Sequence, residues 1–244
     1  MVQTHDLVKH YPDAKGPVVK AVDGVSIVAQ PGEIVGLLGA NGAGKTTLLR
    51  MLSTVIQPTS GSASIHGFDV VKNPEDVRRS IGFMSNSTAL YGRLTAKEVL
   101  DYFAGLYGLS NSDRKRRVAE VIDLMRINEF ADRLCDKLST GQKQRVSIAR
   151  CILHDPPVLF FDEPTSGLDV IMSQEVMRFI EGTREQGKTV IYCTHIMSEV
   201  ERLCSKVYVL HGGTVRGVGS VDEIKTLADE PTLERAFLRL AEVA

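Results

Sequence analysis

The sequence predicts an α/β fold: a core of parallel strands, an antiparallel β subdomain at the N-terminus and an inserted α-helical subdomain. Three observations predict it. Continuous apolar runs of strand length, PVLFFDEP and TVIYCTH, are expected of parallel strands covered on both faces. These runs alternate with helical segments, SQEVMRFIEGTREQGK and MSEVERLC, which calls for parallel strands joined by right-handed crossovers. From about Thr95 to Arg150 the strand pattern gives way to helical periodicity, so a helical block interrupts the core. The expected organisation is one domain over residues 1–244. Residues 1–85 and 151–244 form the core with its β subdomain, and about 86–150 form the helical subdomain.

Each element has a local reason. THDLVKHY and VVKAVDGVSIVA are rich in Val and alternate roughly in polarity, with PDAKGP as the turn between them. PGEIVGLLGANGAGKTTLLRML reads as a turn, a buried strand, a glycine-rich loop and a helix. PTSGSASIHGFDV reads as a further turn and strand. TAKEVLDYFAGLYGL and DRKRRVAEVIDLMRI carry apolar residues at helical spacing, with Thr95 and Asp113 as expected N-caps. KVYVLHGG is a strand, and the tail PTLERAFLRLAEVA is a closing amphipathic helix.

Composition narrows the class. With 43% hydrophobic residues in 244, the chain can bury a sizeable core. A net charge of -1 leaves no basic footprint for nucleic acid, and no nucleic-acid partner is expected. The run Arg114-Lys115-Arg116-Arg117 has acidic flanks, as on a solvated helix face. Cys135, Cys151, Cys193 and Cys204 have neither CxxC pairing nor histidines at metal spacing, which points to a reduced, cytosolic compartment. No secretory signal is evident, and no apolar run approaches the roughly 18 residues of a membrane span. At a membrane, another chain would have to provide the span.

GANGAGKT, Gly39 to Thr46, carries the chemistry. It fits G-x-x-x-x-G-K-[ST] with a strand before it and a helix after it, the setting of a phosphate loop. Gly39, Gly42 and Gly44 let backbone N–H groups converge on a β-phosphate. Lys45 is expected between the β- and γ-phosphates, and the Thr46 hydroxyl on Mg²⁺. PVLFFDEP then delivers Asp162 and Glu163 to the C-terminal edge of the sheet, where ligands bind in open α/β folds. Asp162 would hold Mg²⁺ through water, and Glu163 would polarise the attacking water. His195 ends TVIYCTH at the same edge, placed to hydrogen-bond the γ-phosphate. Tyr11, at a strand end, serves either packing or stacking on adenine.

In this order and spacing, GANGAGKT, LSTGQ, LFFDEPTSGLD and TH resemble an ATP-binding-cassette ATPase. The resemblance covers essentially the whole chain. It implies a P-loop NTPase (RecA-like) core, ATP with Mg²⁺, and a nucleotide held by Gly39, Ala40, Asn41, Gly42, Ala43, Gly44, Lys45, Thr46 and Thr47, with Tyr11 on adenine and His195 as the switch histidine. It makes LSTGQ (Ser139, Gly141, Gln142) the signature that binds the ATP of a second cassette. It also makes Ser166 to Asp169 the loop that touches that partner. The implied partners are a second copy, head to tail, and an integral membrane permease, which places the chain peripherally on the cytoplasmic membrane face. THIMSEVE is similar to sodium-extruding exporter ATPases, so an exporter subunit is expected. A soluble cassette of the iron–sulfur assembly type is the alternative. Two departures stand out. Thr140 replaces the usual first glycine of the signature, and its β-branched side chain calls for an ordinary backbone there. Asn86 stands where the family has a glutamine that touches Mg²⁺ and relays to the membrane subunit, and it is one methylene shorter.

Overall fold

The computed structural model describes residues 1–12, 16–85 and 89–242. The chain opens with β1 (Val2–Tyr11), β2 (Val19–Val25) and β3 (Val28–Ala29), after which β4 (Ile34–Leu38) runs into α1 (Lys45–Leu52). β5 (Ser60–Ile65), β6 (Phe68–Asp69), α2 (Pro74–Ser80) and β7 (Ile81–Ser85) follow. Three helices, α3 (Ala96–Leu106), α4 (Asn111–Leu124) and α5 (Thr140–Ile152), stand between β7 and β8 (Val158–Asp162). The chain closes with α6 (Val170–Glu185), β9 (Thr189–Thr194), α7 (Met197–Leu203), β10 (Lys206–His211), β11 (Thr214–Gly219), α8 (Val221–Ala228) and α9 (Leu233–Glu242).

The core sheet has the order β11-β10-β4-β9-β8-β7, parallel except for the antiparallel β10–β11 hairpin at one edge. Every residue of β4, β8 and β9 is buried, as the unbroken apolar runs require of strands covered on both faces. Alternation along β8 sends Phe160 to one face and Phe161 to the other. Phe160 joins Leu48, Leu49 and Val22 beneath an antiparallel sheet of order β2-β1-β5-β6, with β3 paired to β1. Phe161 joins Tyr192, Ile180 and Ile148 under α5 and α6. Helices α8 and α9 close the β10 side over Val207, Val209 and Phe237.

Thr95 caps α3 in a full capping box, accepting the Glu98 N–H at 3.1 Å while Glu98 accepts the Thr95 N–H at 2.8 Å. The start of α4 differs from expectation. Ser110, not Asp113, is the N-cap, accepting the Asp113 N–H at 3.2 Å. Asp113 sits in the first turn, where its charge complements the helix dipole. Elements α2, β7, β11 and α8 are additions to the expected set. α2 has only seven residues, too few to display a period, and β11 contains two glycines, which weaken strand propensity. α8 did carry a legible signal, the Ser220–Glu223 capping box.

The basic run is a paired helix face: Arg114 with Asp101, Arg116 with Asp113 and Glu120, Arg117 with Glu120. Arg117 also donates to the carbonyls of Ile152 and Leu153 at 3.0 Å, pinning α4 to the end of α5. The four cysteines are free thiols, and burial pushes Cys151 and Cys204 up to about 12, which makes them unreactive packing residues. Among the described residues no helix is long and apolar enough to cross a membrane.

One titratable group is held against its ordinary chemistry. The His154 ring stacks on Tyr107 with centroids 3.6 Å apart, and its Nε2 lies 2.9 Å from the Ile81 carbonyl. Burial lowers it to about 4. An unfolded imidazole titrates near 6.5, so between that pH and about 4 the unfolded chain binds a proton that the native state does not. Stability therefore falls as pH drops through this window, by about 3 kcal/mol in total. Denaturant unfolding followed against pH is expected to show this loss in the natural protein and a shallower one in His154→Phe. Equal slopes would remove His154 as the cause.

Candidate nucleotide site

Parallel pairing places three strand ends on one edge. Leu38 pairs with Thr194, and Asp162 pairs with Cys193, so the residues that follow each strand, Gly39, His195 and Glu163, emerge side by side. The loop after β4 bends through Gly42 (φ 83°) and Gly44 (φ 103°) into α1. A Cβ on Gly44 would lie 2.3 Å from the Ala21 carbonyl oxygen, so only glycine permits this turn against β2. Lys45, the first residue of α1, is buried. Its Nζ donates to the Gly39 carbonyl at 2.6 Å and to the Ala40 carbonyl at 3.2 Å. The ammonium is thus fixed over the loop.

Thr46 Oγ1 donates to Asp162 Oδ2 at 2.9 Å, joining α1 to the end of β8. Desolvation raises the Asp162 carboxyl above its usual range, partly offset by the Thr46 hydrogen bond. A hydroxyl and a buried carboxyl at this spacing are hard oxygen donors suited to a small divalent cation shared with phosphate oxygens. Glu163 takes φ 52°, a left-handed conformation that costs a non-glycine residue about 1 kcal/mol or more. Its N–H donates to the Cys193 carbonyl at 2.9 Å, which holds the turn. The consequence is a carboxylate aimed back across the edge. Glu163 Oε1 lies 3.0 Å from His195 Nδ1 and 3.8 Å from Lys45 Nζ.

Among the other predicted residues, Ala40, Asn41, Ala43 and Thr47 line the loop's cavity with Lys45, Thr46 and Glu163. Tyr11 is exposed and pairs across the strands with Val19, which lines that cavity; its ring faces Lys9 Nζ at 5.2 Å. Lys20, Ala21 and Gly212 also line the cavity, and no spacing in the sequence singles them out. Asn86 lies outside the described residues.

Ser139, Gly141 and Gln142 occupy a second, separate groove. Ser139 caps α5 in a capping box: its Oγ accepts the Gln142 N–H at 3.3 Å, and Gln142 Oε1 accepts the Ser139 N–H at 3.0 Å. Thr140 is the first helical residue and needs no positive φ, as its β-branch required. The groove's other wall is Gly167, Leu168 and Asp169, with Met172 at its floor. Asp169 caps α6, accepting the Met172 N–H at 2.9 Å. Among the described residues none lines both cavities, so within one chain the phosphate loop and the Ser139 turn do not meet.

A phosphate loop, an acidic strand end and a histidine on one sheet edge define a nucleotide-hydrolysing P-loop protein. Residues 22–166 match the ABC transporter family. The chain is 40% identical over 225 residues to the ABC transporter ATP-binding protein NatA of Bacillus subtilis, covering 92% of this chain and 91% of that protein. It is 34% identical over 245 residues to the probable multidrug ABC transporter ATP-binding protein YbhF of Escherichia coli, spanning 98% of this chain and 41% of that protein. The solved ATP-binding subunit of an ABC transporter superposes with TM-score 0.87 at 29% identity, covering 98% of each chain. A dimeric ATP-binding cassette in a post-hydrolysis state with ADP and Pi superposes with TM-score 0.83 at 28% identity, over 90% of this chain and 98% of that one. The chain belongs to the ABC transporter family, as an ATP-hydrolysing cassette.

Glu163→Gln keeps the size and the frame of the turn but removes the charge. It is expected to leave ATP binding intact and to slow hydrolysis by roughly 10²–10⁴-fold, the usual worth of a general base. Phosphate release in single-turnover assays checks this, and near-normal rates would exclude Glu163 from the chemistry.

Proposed function

We propose that this chain is the ATP-hydrolysing subunit of a membrane exporter, working as a head-to-tail pair beneath an integral permease at the cytoplasmic membrane face. The separation of the two cradles carries the reading. Ser139 and the start of α5 offer an anion site at a helix N-terminus, yet the phosphate loop of the same chain lies in another cavity. A second copy would bring its own phosphate loop to that groove. Val170 and Ile171, 77% and 74% exposed beside Asp169, are apolar residues suited to such a contact.

In each composite site, loop N–H groups and Lys45 bind the β- and γ-phosphates, and Tyr11 stacks on adenine. Thr46 and Asp162 would hold Mg²⁺, whose charge, when bound, neutralises the phosphate oxygens. Glu163 takes the proton of the attacking water. His195, with Nδ1 turned to Glu163, orients that water and the γ-phosphate. Asp169 and its loop meet the second copy, and Asn86 relays to the permease.

The helical subdomain supports the permease contact. Tyr91, Tyr102, Leu106 and Tyr107 are exposed; the Tyr91 and Tyr102 rings pack on Phe103, whose ring also meets Arg150, 7% exposed, at 5.1 Å. Arg150 makes no ion pair among the described residues, so a carboxylate on an apolar partner helix fits this surface. An exported cargo agrees with the multidrug and bacitracin transport named in relatives. Sodium as that cargo rests on the likeness of Thr194 to Glu201 to sodium-extruding ATPases.

Two experiments test the reading. Lys45→Ala and Ser139→Arg homodimers each carry a lesion in both composite sites, whereas a mixed dimer keeps one site whole. Mixing the two inactive variants is expected to restore hydrolysis, to roughly a quarter of the natural rate if pairing is random and the sites act independently. A mixture as inactive as its components would overturn the shared site. Capture of the tagged chain from detergent-solubilised membranes is expected to bring down a multi-span membrane protein, and to lose it in Tyr102→Ser/Leu106→Glu with basal hydrolysis unchanged. Recovery of the natural chain without any membrane protein would favour the soluble alternative.

A further inference from the structure

Beneath Glu163 and His195 lies a buried carboxyl group that the reaction does not use directly. Glu199, on α7, is 4% exposed. Its Oε1 accepts the Thr165 hydroxyl at 2.6 Å; its Oε2 accepts the Tyr192 hydroxyl at 2.9 Å and the Thr194 hydroxyl at 2.8 Å. Among the described residues it forms no ion pair. Three hydroxyl donors alone satisfy it, in a site where burying a carboxyl without a cation is costly. Packing would be served as well by an apolar side chain, so the position of its donors is the informative observation.

Two of those donors belong to the turns that carry the reactive side chains. Thr165 is two residues after Glu163, in the loop between β8 and α6. Thr194 immediately precedes His195, and its Oγ1 also accepts the Ile196 N–H at 3.0 Å, closing the turn in which His195 sits. Thr165 and Thr194 are themselves buried, whereas the His195 side chain is about half exposed. The hydrogen bond between Glu163 and His195 is therefore partly open to water, while the tie below it is dry and correspondingly rigid. The Thr165 loop has a second anchor: Gln144 of α5 donates its Nε2 to the Pro164 carbonyl. Its far end is Asp169, beside the Ser139 turn.

We propose that Glu199 is a positioning residue for hydrolysis: it locks the Pro164–Asp169 loop to the turn before His195, fixing Glu163 and His195 relative to each other. A displacement of Ser166–Asp169 by a second chain then reaches His195 through Thr165, Glu199 and Thr194. The inference rests on the reading that Glu163 and His195 act on ATP.

The test isolates one hydroxyl. Thr165→Val keeps the shape of the side chain and leaves the Tyr192 and Thr194 bonds to Glu199, but cuts the loop from the carboxyl. It is expected to lower kcat by roughly tenfold to a hundredfold, as misplaced catalytic groups do, with unchanged KM for ATP; Tm falls as well, because a buried Glu199 oxygen loses its donor. Thr165→Ser, which restores the hydroxyl in a smaller side chain, is expected to recover most of the rate. A Thr165→Val enzyme with natural kcat would overturn the proposal, and so would a Thr165→Ser enzyme as slow as Thr165→Val. Glu163→Gln is measured alongside. If it loses turnover while Thr165→Val does not, only the positioning claim fails; if it keeps turnover, the reading of the site fails and the claim goes with it.

Discussion

The parallel pairing of β4, β9 and β8 is the constraint on which the rest of the molecule depends. These strands are buried at every position, so their hydrogen-bonded register cannot slip without unpairing backbone groups that water cannot reach. The register Leu38–Thr194 and Cys193–Asp162 then decides what stands beside what at the C-terminal edge. Thr46 of the phosphate loop lies 116 residues before Asp162, and His195 lies 32 residues beyond Glu163. They meet because three strands end in line.

Around that edge the polar groups are held mainly by hydrogen bonds to their neighbours. Lys45 is held by loop carbonyls, Thr46 by Asp162 and Glu163 by its strained turn against Cys193. Each bond is made inside a largely dry region, where it is stronger and where leaving it unmade is costly. These bonds fix the side chains of the site against one another, and the strain at Glu163 is maintained by the strands on either side. The groove at Ser139 is different. Its capping box satisfies the Ser139 and Gln142 N–H groups, but its outer side opens between the helix α5 and the loop to α6, with exposed apolar residues next to it. One groove is closed in by hydrogen-bonded neighbours, and the other lies open on the surface.

The insertion α3–α5 follows separate rules. It is anchored by Arg117 on the end of α5 and by its own apolar faces, and its outer charges pair along and between helices. It also retains a group of exposed aromatic residues above a buried guanidinium.

What was legible in the sequence is what short-range chemistry dictates. The glycine pattern of the phosphate loop can adopt few conformations, and the apolar runs of β8 and β9 can only be interior strands. The cap at Thr95 and the pairs of Arg116 and Arg117 follow from i, i+3 and i, i+4 neighbours. Where local signals compete, the sequence was less informative: Ser110 rather than Asp113 took the N-cap, because both can cap and only packing fixes where α4 begins. Chain separation hid the rest. Nothing in THIMSEVE indicates that Glu199 turns inward to meet Thr165, thirty-four residues earlier in the chain. Nothing in LSTGQ says that its turn lies apart from the phosphate loop and beside Asp169. The sequence by itself determined the loop, the strands and the candidate groups at the strand ends, since these depend on a residue and its near neighbours. Tertiary structure alone decided the Glu163–His195 contact and the distance between the two cradles, because both depend on strand register and helix packing that join distant segments.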